Sequence, residues 1–313
     1  MMKVSNKVYL EGYLYEHDLE KKVTGATSKN PNTEYITGTI SIATDDACVN
    51  IVPVHYTYVT ALTKNGSANA AFNVLNAIIN GTVPSIMEHG KENAARVRVD
   101  TVIGLNEFYS NRNGKEEFIS VKRNEGGFIH LATDVSKEED RNKFEVDMII
   151  TNAIRVEGDP ERNTQDKMVI KGVIFDFRNA ILPIELSGFD ERFMKYMEDA
   201  EVSPKNPMFT RIRGKQVSEN IVRRIVEPSA WGDDDVREVV TTRKDFVVTW
   251  SKPVPHEWDD PSTITANELK EAMAARETYL ATLKKRNDDY KASKAATPSA
   301  IPAPSASTTE FNF

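Results

Sequence analysis

The chain has 313 residues, enough for two domains of ordinary size plus an appendage, and 40% are hydrophobic, enough to fill real cores. Its one cysteine, Cys48, excludes an intrachain disulfide and fits a reducing compartment. A net charge of −7 argues mildly against a nucleic-acid partner, although the total says little about one face of one domain.

Strand signals dominate the first two-thirds. Lys7–Tyr15 mixes Val, Tyr and Leu around one Gly. Glu34–Ala43 alternates, with Ile36, Ile40 and Ile42 on one face and Tyr35, Thr37, Thr39 and Ser41 on the other. Asn50–Thr60 is a third strand, whose Pro53 suggests an edge or a bulge. Across Ser67–Asn80 the period changes, and Phe72, Leu75, Ile78 and Ile79 fall on one helix face. Ala94–Leu105 returns to strand, Asn113-Gly114 signals a tight hairpin, and Glu117–Arg123 follows. Three strands, a helix and two strands is the order of the OB-fold, a small Greek-key barrel.

After the charged stretch Ser136–Lys143 the pattern restarts. Phe144–Val156, Lys167–Phe177 and Ala180–Phe189 are the next three strands. Asp190 caps a short helix over Glu191–Ala200, with Phe193, Met194 and Met197 on one side. Met208–Val217 and Lys244–Trp250 complete the set, separated by an insertion, Ser218–Arg243, expected to be another hairpin carrying Trp231. Gly38 and Gly172 fall in the two second strands, and Arg96-Val97-Arg98 and Arg211-Ile212-Arg213 in the two fourth strands, which reads as a weak internal duplication.

The composition then shifts. Thr265–Lys294 is a helix opened by a capping box, Thr265 with Glu268. Arg276 and Asn287 interrupt its apolar stripe, which disfavours a long coiled coil; because such a helix usually takes its stability from packing, docking on the chain's own barrel is favoured over a partner-binding helix. Ala295–Thr309 is Ala, Pro, Ser and Thr, cannot fill a core and is expected to be disordered. The expected organisation is therefore a mainly β chain with accessory helices. It comprises a first OB-like barrel (1–135), a linker (136–143), a second barrel (144–255) with a hairpin insertion (218–243), a C-terminal helix (256–294) and a tail (295–313).

No catalytic constellation is legible. There is no phosphate-binding glycine loop, and the five histidines are scattered without partners at metal-ligand spacing. Asp233-Asp234-Asp235 lacks visible further ligands, and Cys48 lacks an activating neighbour and reads as a small buried residue. No enzyme activity, cofactor or metal is expected. Met1–Leu10 has no secretory signal, and no stretch has the length of a membrane-spanning helix.

Binding chemistry is more visible. OB-folds take oligonucleotides on strands two and three and on the loops after strands one and four. The first loop carries Lys21, Lys22 and Lys29, and the second carries Phe108, Tyr109, Arg112 and Lys115. Cations that follow phosphates and flat rings that stack on bases are what an unpaired strand wants. Tyr35, Tyr56 and Tyr58 are stacking candidates on strands two and three. Tyr56 and Tyr58 alternate with His55 and Thr57, and the alternation alone does not say which pair faces out. Arg96 and Arg98 share one strand face, as do Arg211, Arg213 and Lys215. Such stripes could meet a phosphate backbone or a neighbouring strand's carboxylates. Lys122, Arg123, Arg243 and Lys244 add charge at the final strands, and Trp231 could be a stacking finger or seal a barrel end.

Two barrel modules, a Pro/Ala/Ser linker and a tip ending in Phe313 resemble single-stranded DNA-binding proteins. The "RNGKEE" hairpin and "FDFR" strand are similar to divergent two-barrel members encoded by phages or prophages of Gram-positive bacteria. The resemblance implies sequence-independent single-stranded DNA binding in phage or mobile-element replication or recombination, in the host cytoplasm. It also implies a partner-binding tip of Glu310, Phe311 and Phe313, although this tip is poorer in Asp and has Asn312 before its terminal Phe. The competing reading is a protein-interaction or virion-structural module.

Overall fold

The computed structural model describes residues 4–110, 115–158, 164–258, 260 and 263–296. The first unit contains β1 (Asn6–His17), β2 (Glu20–Val23), β3 (Glu34–Ala43), β4 (Ile51–Thr60), α1 (Ala70–Ile79), α2 (Ile86–His89), β5 (Arg96–Ser110) and β6 (Glu117–Leu131). β1 pairs with β3, β3 with β4, β5 with β6 and β1 with β5, all antiparallel. The circle closes through a parallel contact of β4 with β6, Val54 beside Asn124. That closure, with a helix between the third and fourth barrel strands, is the OB-fold arrangement.

The second unit repeats it. It contains β7 (Asn142–Val156), β8 (Lys167–Phe175), β9 (Ile181–Gly188), α3 (Glu191–Asp199), β10 (Met208–Glu227) and β11 (Asp235–Ser251). β7 pairs with β8 and β10, β8 with β9, β10 with β11, and β9 closes on β11 in parallel at Ser187 and Val247.

The alternating isoleucines explain why these segments hold. Ile36, Ile40 and Ile42 have no exposed surface, nor do Ile170 and Ile174 in β8. Phe72, Leu75 and Ile78 bury one face of α1, whose first turn is capped by the Asn69 side chain. Asp190 caps α3 by accepting from the Arg192 and Phe193 amides, and Met194 and Met197 are buried beneath it.

The two barrels join strand to strand. β1 runs antiparallel to β7 with Val8 opposite Phe144, Asn6 opposite Val146 and Leu10 opposite Asn142, giving one continuous sheet of 11 strands. This symmetric register makes the junction a local two-fold. Asn6 donates its amide to the Ile103 carbonyl (2.9 Å) and accepts from the Ile103 amide (3.0 Å). Asn142 does the same with Gln216 at 2.6 and 3.0 Å. Ile103 lies opposite Asn124 and Gln216 opposite Phe246, so the two pairs occupy matching sites. Both barrels also shift register at the same place, between Leu14 and Glu16 and between Ile150 and Asn152.

This register supports duplication but corrects its alignment. Arg98 lies opposite Glu11 and Arg211 opposite Asp147, so Arg98 corresponds to Arg211 and the two arginine triplets are offset by two residues. Gly172, opposite Ile150, corresponds to Ile42, not to Gly38. A Cβ at Gly172 would lie 2.0 Å from the Ile149 carbonyl oxygen, so the close approach of β8 to β7 requires glycine there.

The expected hairpin over 218–243 forms, not as a separate element but as the outer part of a longer one. β10 and β11 continue paired from Ile212 opposite Ser251 out to Glu227 opposite Asp235, as a single long ribbon. β6 likewise runs past Arg123 to Leu131, and β2 and α2 were not expected. Cys48 is half-buried in a turn at φ 57°, not in the core, and burial pushes its thiol pKa up.

α4 (Ala266–Ala296) docks on the chain's own barrels. Ile264, Leu269 and Ala272 pack with Val4, Ile149, Phe175, Ile181 and Phe209. The capping box forms, with the Glu268 amide donating to the Thr265 hydroxyl at 3.2 Å. The residues that interrupt the apolar stripe are contacts. Arg276 pairs with Glu107, and Asn287 and Lys291 reach Glu116 at 3.1 and 2.6 Å. No described helix is long and apolar enough to cross a membrane.

Candidate nucleic-acid interface

The strand-face arginines are held by the protein's own side chains, mostly carboxylates. Arg98 places Nη2 2.9 Å from Glu11 Oε2. Arg211 grips Asp147 with both ends of its guanidinium, at 2.7 and 2.8 Å. Arg213 donates to Glu145 at 2.7 Å, and Arg96 donates to the Tyr13 hydroxyl at 2.8 Å while stacking over that ring. The cationic stripe expected to meet phosphates is therefore mainly a set of cross-strand pairs. Arg98, Arg211 and Arg96 are corrected on that ground. Arg213 and Lys215 are still exposed.

Burial pushes the Glu11 carboxyl up, but hydrogen bonds from Tyr9, Ser136 and Arg98 outweigh it and hold its pKa at about 2, against 4.5 for a free carboxyl. The Asp147 and Glu145 carboxyls are likewise lowered, burial opposed by Arg211 and Arg213 respectively. A carboxyl depressed in the folded state contributes stability that is complete above its unfolded pKa and is lost as pH falls towards the folded one. Thermal unfolding should therefore lose stability from about pH 4.5 towards about 2. Glu11→Gln should flatten that slope at the cost of a lower melting temperature throughout. An unchanged acid slope in Glu11→Gln would show that other groups govern the window.

The tyrosine question has a geometric answer. Tyr56 is fully buried, so it is a core residue and cannot stack on a base. Between Ile36–Val59 and Gly38–Tyr56 the pairing shifts, giving β4 one extra residue. That bulge turns Tyr58 outward, 44% exposed, although it alternates with Tyr56. Its ring lies 4.7 Å from that of Tyr35, and Lys22 sits opposite Tyr35 on β2. Lys22, Tyr35 and Tyr58 thus form one cluster on the outer face of the first barrel's second and third strands. Lys22 also pairs with Glu20 at 2.9 Å.

The other candidates divide. Lys21, Lys29, Lys115 and Lys244 are exposed. Phe108 is exposed near the end of the β5–β6 hairpin, while Tyr109 packs against Phe118 at 5.4 Å. Phe118, exposed in its own right, is a ring the sequence reading missed, although its place just after the Asn113-Gly114 signal could have revealed it. Trp231 is 90% exposed at the end of the β10–β11 ribbon, so it does not seal a barrel. Two cations are corrected. Lys122 reaches the second barrel, donating to the Glu185 carbonyl with its ammonium 5.4 Å from the Phe246 ring, and burial lowers its pKa. Arg123 is bound to Glu125 at 2.6 Å. Arg112, the Arg243 side chain and Glu310, Phe311 and Phe313 lie outside the described residues, as do Asn113-Gly114 and the 297–313 segment.

Among the described residues no group of His, Cys, Asp and Glu could hold a metal ion. The family model YorF matches residues 5–286 of the chain. No curated protein matches it. Among solved structures, a deletion mutant of the single-stranded DNA binding protein from Thermus aquaticus superposes with a TM-score of 0.45 at 9% identity, covering 82% of this chain and 98% of its own. The wild-type Thermus aquaticus protein gives 0.44 at 10% identity, covering 80% and 92%. Scores of this size decide nothing about function.

Proposed function

The chain belongs to the YorF family, and we propose that it binds single-stranded DNA without reading its sequence, a binding role and not catalysis. The observation that carries the proposal is the Lys22, Tyr35 and Tyr58 cluster on the outer face of barrel strands two and three. OB-folds take oligonucleotides on this face, together with the loop between strands four and five. In this chain strands four and five of each barrel run out as extended paired ribbons, one bearing Phe108 and Phe118 and the other Trp231 at its end. Rings of this kind supply about 1–3 kcal/mol per stacked base whatever the base, which lets a chain of net charge −7 bind an anionic strand. The action would be passive: cover the strand, remove hairpins and present the Glu310–Phe313 tip to replication or recombination partners. Phage or mobile-element DNA in a host cytoplasm is the setting this implies.

A second reading, a protein-interaction or virion-structural module, draws on one observation. Val226, Val236 and Val239 leave apolar side chains exposed along the β10–β11 ribbon. Fluorescence anisotropy with labelled oligo-dT and a blunt duplex of equal length separates the two. The DNA reading expects oligo-dT to bind much more tightly, and equal affinity for both would reject it. Tyr35→Ala with Tyr58→Ala should weaken oligo-dT binding by about 5- to 150-fold, the equivalent of one lost stacking contact. A double variant that binds as the parent does would remove this face from the site.

A further inference from the structure

We infer that the outer face of the β1–β7 junction is a second single-stranded DNA contact, which carries the strand from one barrel to the other over Trp250. The inference rests on the proposed DNA binding, but it assigns residues outside the strand-two and strand-three face.

The junction aligns side chains in rows across four strands. Lys7 lies opposite Glu145, Glu145 opposite Arg213, and Arg213 opposite Trp250. Residues directly opposite each other in a sheet project from the same face. The neighbouring row sets Lys143 opposite Tyr9, and Tyr9 opposite Asp100. The two rows enclose a hollow of about 490 Å3 lined by Lys7, Tyr9, Lys143, Arg213, Lys215 and Trp250, among others. Beyond Trp250 a second hollow of about 550 Å3 includes Tyr196 and Arg192, the latter held by Asp190 at 3.1 Å. Both volumes fall in the range of ligand-holding clefts, roughly 300–1,000 Å3.

The chemistry of the face selects an anionic, ring-bearing occupant. Lys7 and Lys215 are exposed and make no ion pair among the described residues. Lys143 pairs with Asp140, and Arg213 with Glu145. The exposed Asp100 is the remaining carboxylate in these rows. Trp250 is 40% exposed, with the Arg213 guanidinium 4.6 Å from its ring centre, so ring and cation already form a platform. The local two-fold gives the face a matching end. Phe128 lies opposite Asp100 in β6, at the place that Trp250 takes beside Arg213, and is 70% exposed. An exposed ring at each end and cations between suit bases and phosphates in alternation. Because residues of both barrels line it, a strand bound there engages both at once.

The test compares a short oligo-dT of about 10 nucleotides, within the reach of one barrel, with one of about 30, long enough for both. Lys7→Glu with Lys143→Glu should weaken the long strand at least tenfold and reduce its salt slope by about 1.4, from two lost phosphate contacts at about 0.7 each. It should leave the short strand bound to the first barrel as before. In a Trp231→Phe, Trp258→Phe chain, the remaining indole at Trp250 should be quenched by the long strand. Circular dichroism of each variant should match the parent, since the changed side chains are exposed. If the parent binds the long strand, but the lysine variant keeps its affinity and slope and Trp250 is not quenched, the inference falls and the DNA reading stands. If the parent binds neither strand at low salt, both fall.

Discussion

Asp147→Asn is expected to lower the stability of the whole chain by about 3–5 kcal/mol, the usual loss when one partner of a buried ion pair is removed. Asp147 has no exposed surface, and each of its oxygens is used twice. Oδ1 accepts from Arg211 at 2.7 Å and meets His256 at 3.1 Å. Oδ2 accepts from Arg211 at 2.8 Å and from the Ser5 amide at 2.6 Å. An asparagine retains one acceptor oxygen and faces the guanidinium with an NH2 donor, leaving the partly buried charge only the more distant Glu145, 3.7 Å away, as counter-ion. The network ties the start of β1, strands β7 and β10 and the segment after β11 together, so the loss should be felt by both barrels. For a chain of this size about 2–4 °C accompanies each kcal/mol, so the melting temperature should fall by on the order of 10 °C by calorimetry. Adding Arg211→Met should recover part of that fall, because it removes the stranded charge. A change of only a degree or so in the single variant would show that the network is not a structural tie.

Arg276→Ala is expected to release α4 while leaving the barrels folded. Arg276 is the only described partner of Glu107 on the helix, and the Glu107 side chain is 2% exposed. Truncation leaves that carboxylate covered, with the Ser120 hydroxyl at 3.1 Å but no cation to offset its charge, a loss of up to about 3–5 kcal/mol, and the simplest relief is for the helix to lift so that water reaches it. Little else would hold it. Leu269 and Ala272 pack at one end and Asn287 and Lys291 bind Glu116 at the other. An isolated helix of mixed composition is marginal in water. Hydrogen exchange should therefore rise at least tenfold across residues 266–291 while β1, β3 and β7 keep their protection. Unchanged protection in the helix, or equal loss everywhere, would contradict this.

The same contrast explains what could be read from the sequence. Strand alternation and helix period reveal which residues fill a core, since burial acts on each residue by its own chemistry, and so Ile36, Ile40, Phe72 and Met194 were legible. Even the order of elements sufficed to suggest the barrel. The fate of charges was not legible, because a charge is decided by what lies opposite it. Arg98 and Arg211 read as cations awaiting a ligand until the register set Glu11 and Asp147 beside them. Arg276 read as a flaw in an apolar stripe until Glu107 appeared beneath it. Tyr58 depended on a single extra residue in β4, and bulges leave little trace in composition. The Trp250 face needed still more, since its side chains come from β1, β7, β10 and β11 and meet only because the barrels pair through their first strands.

Single-stranded DNA binding by the two barrels is decided by titrating the intact chain with oligo-dT while following tryptophan fluorescence, at about 50 and 200 mM salt. Quenching should saturate at low salt, and the affinity should fall by tenfold or more at high salt, as phosphate contacts to Lys22, Lys7, Lys143 and Lys215 are screened. No quenching at low salt, with no shift of a labelled strand, would contradict that binding.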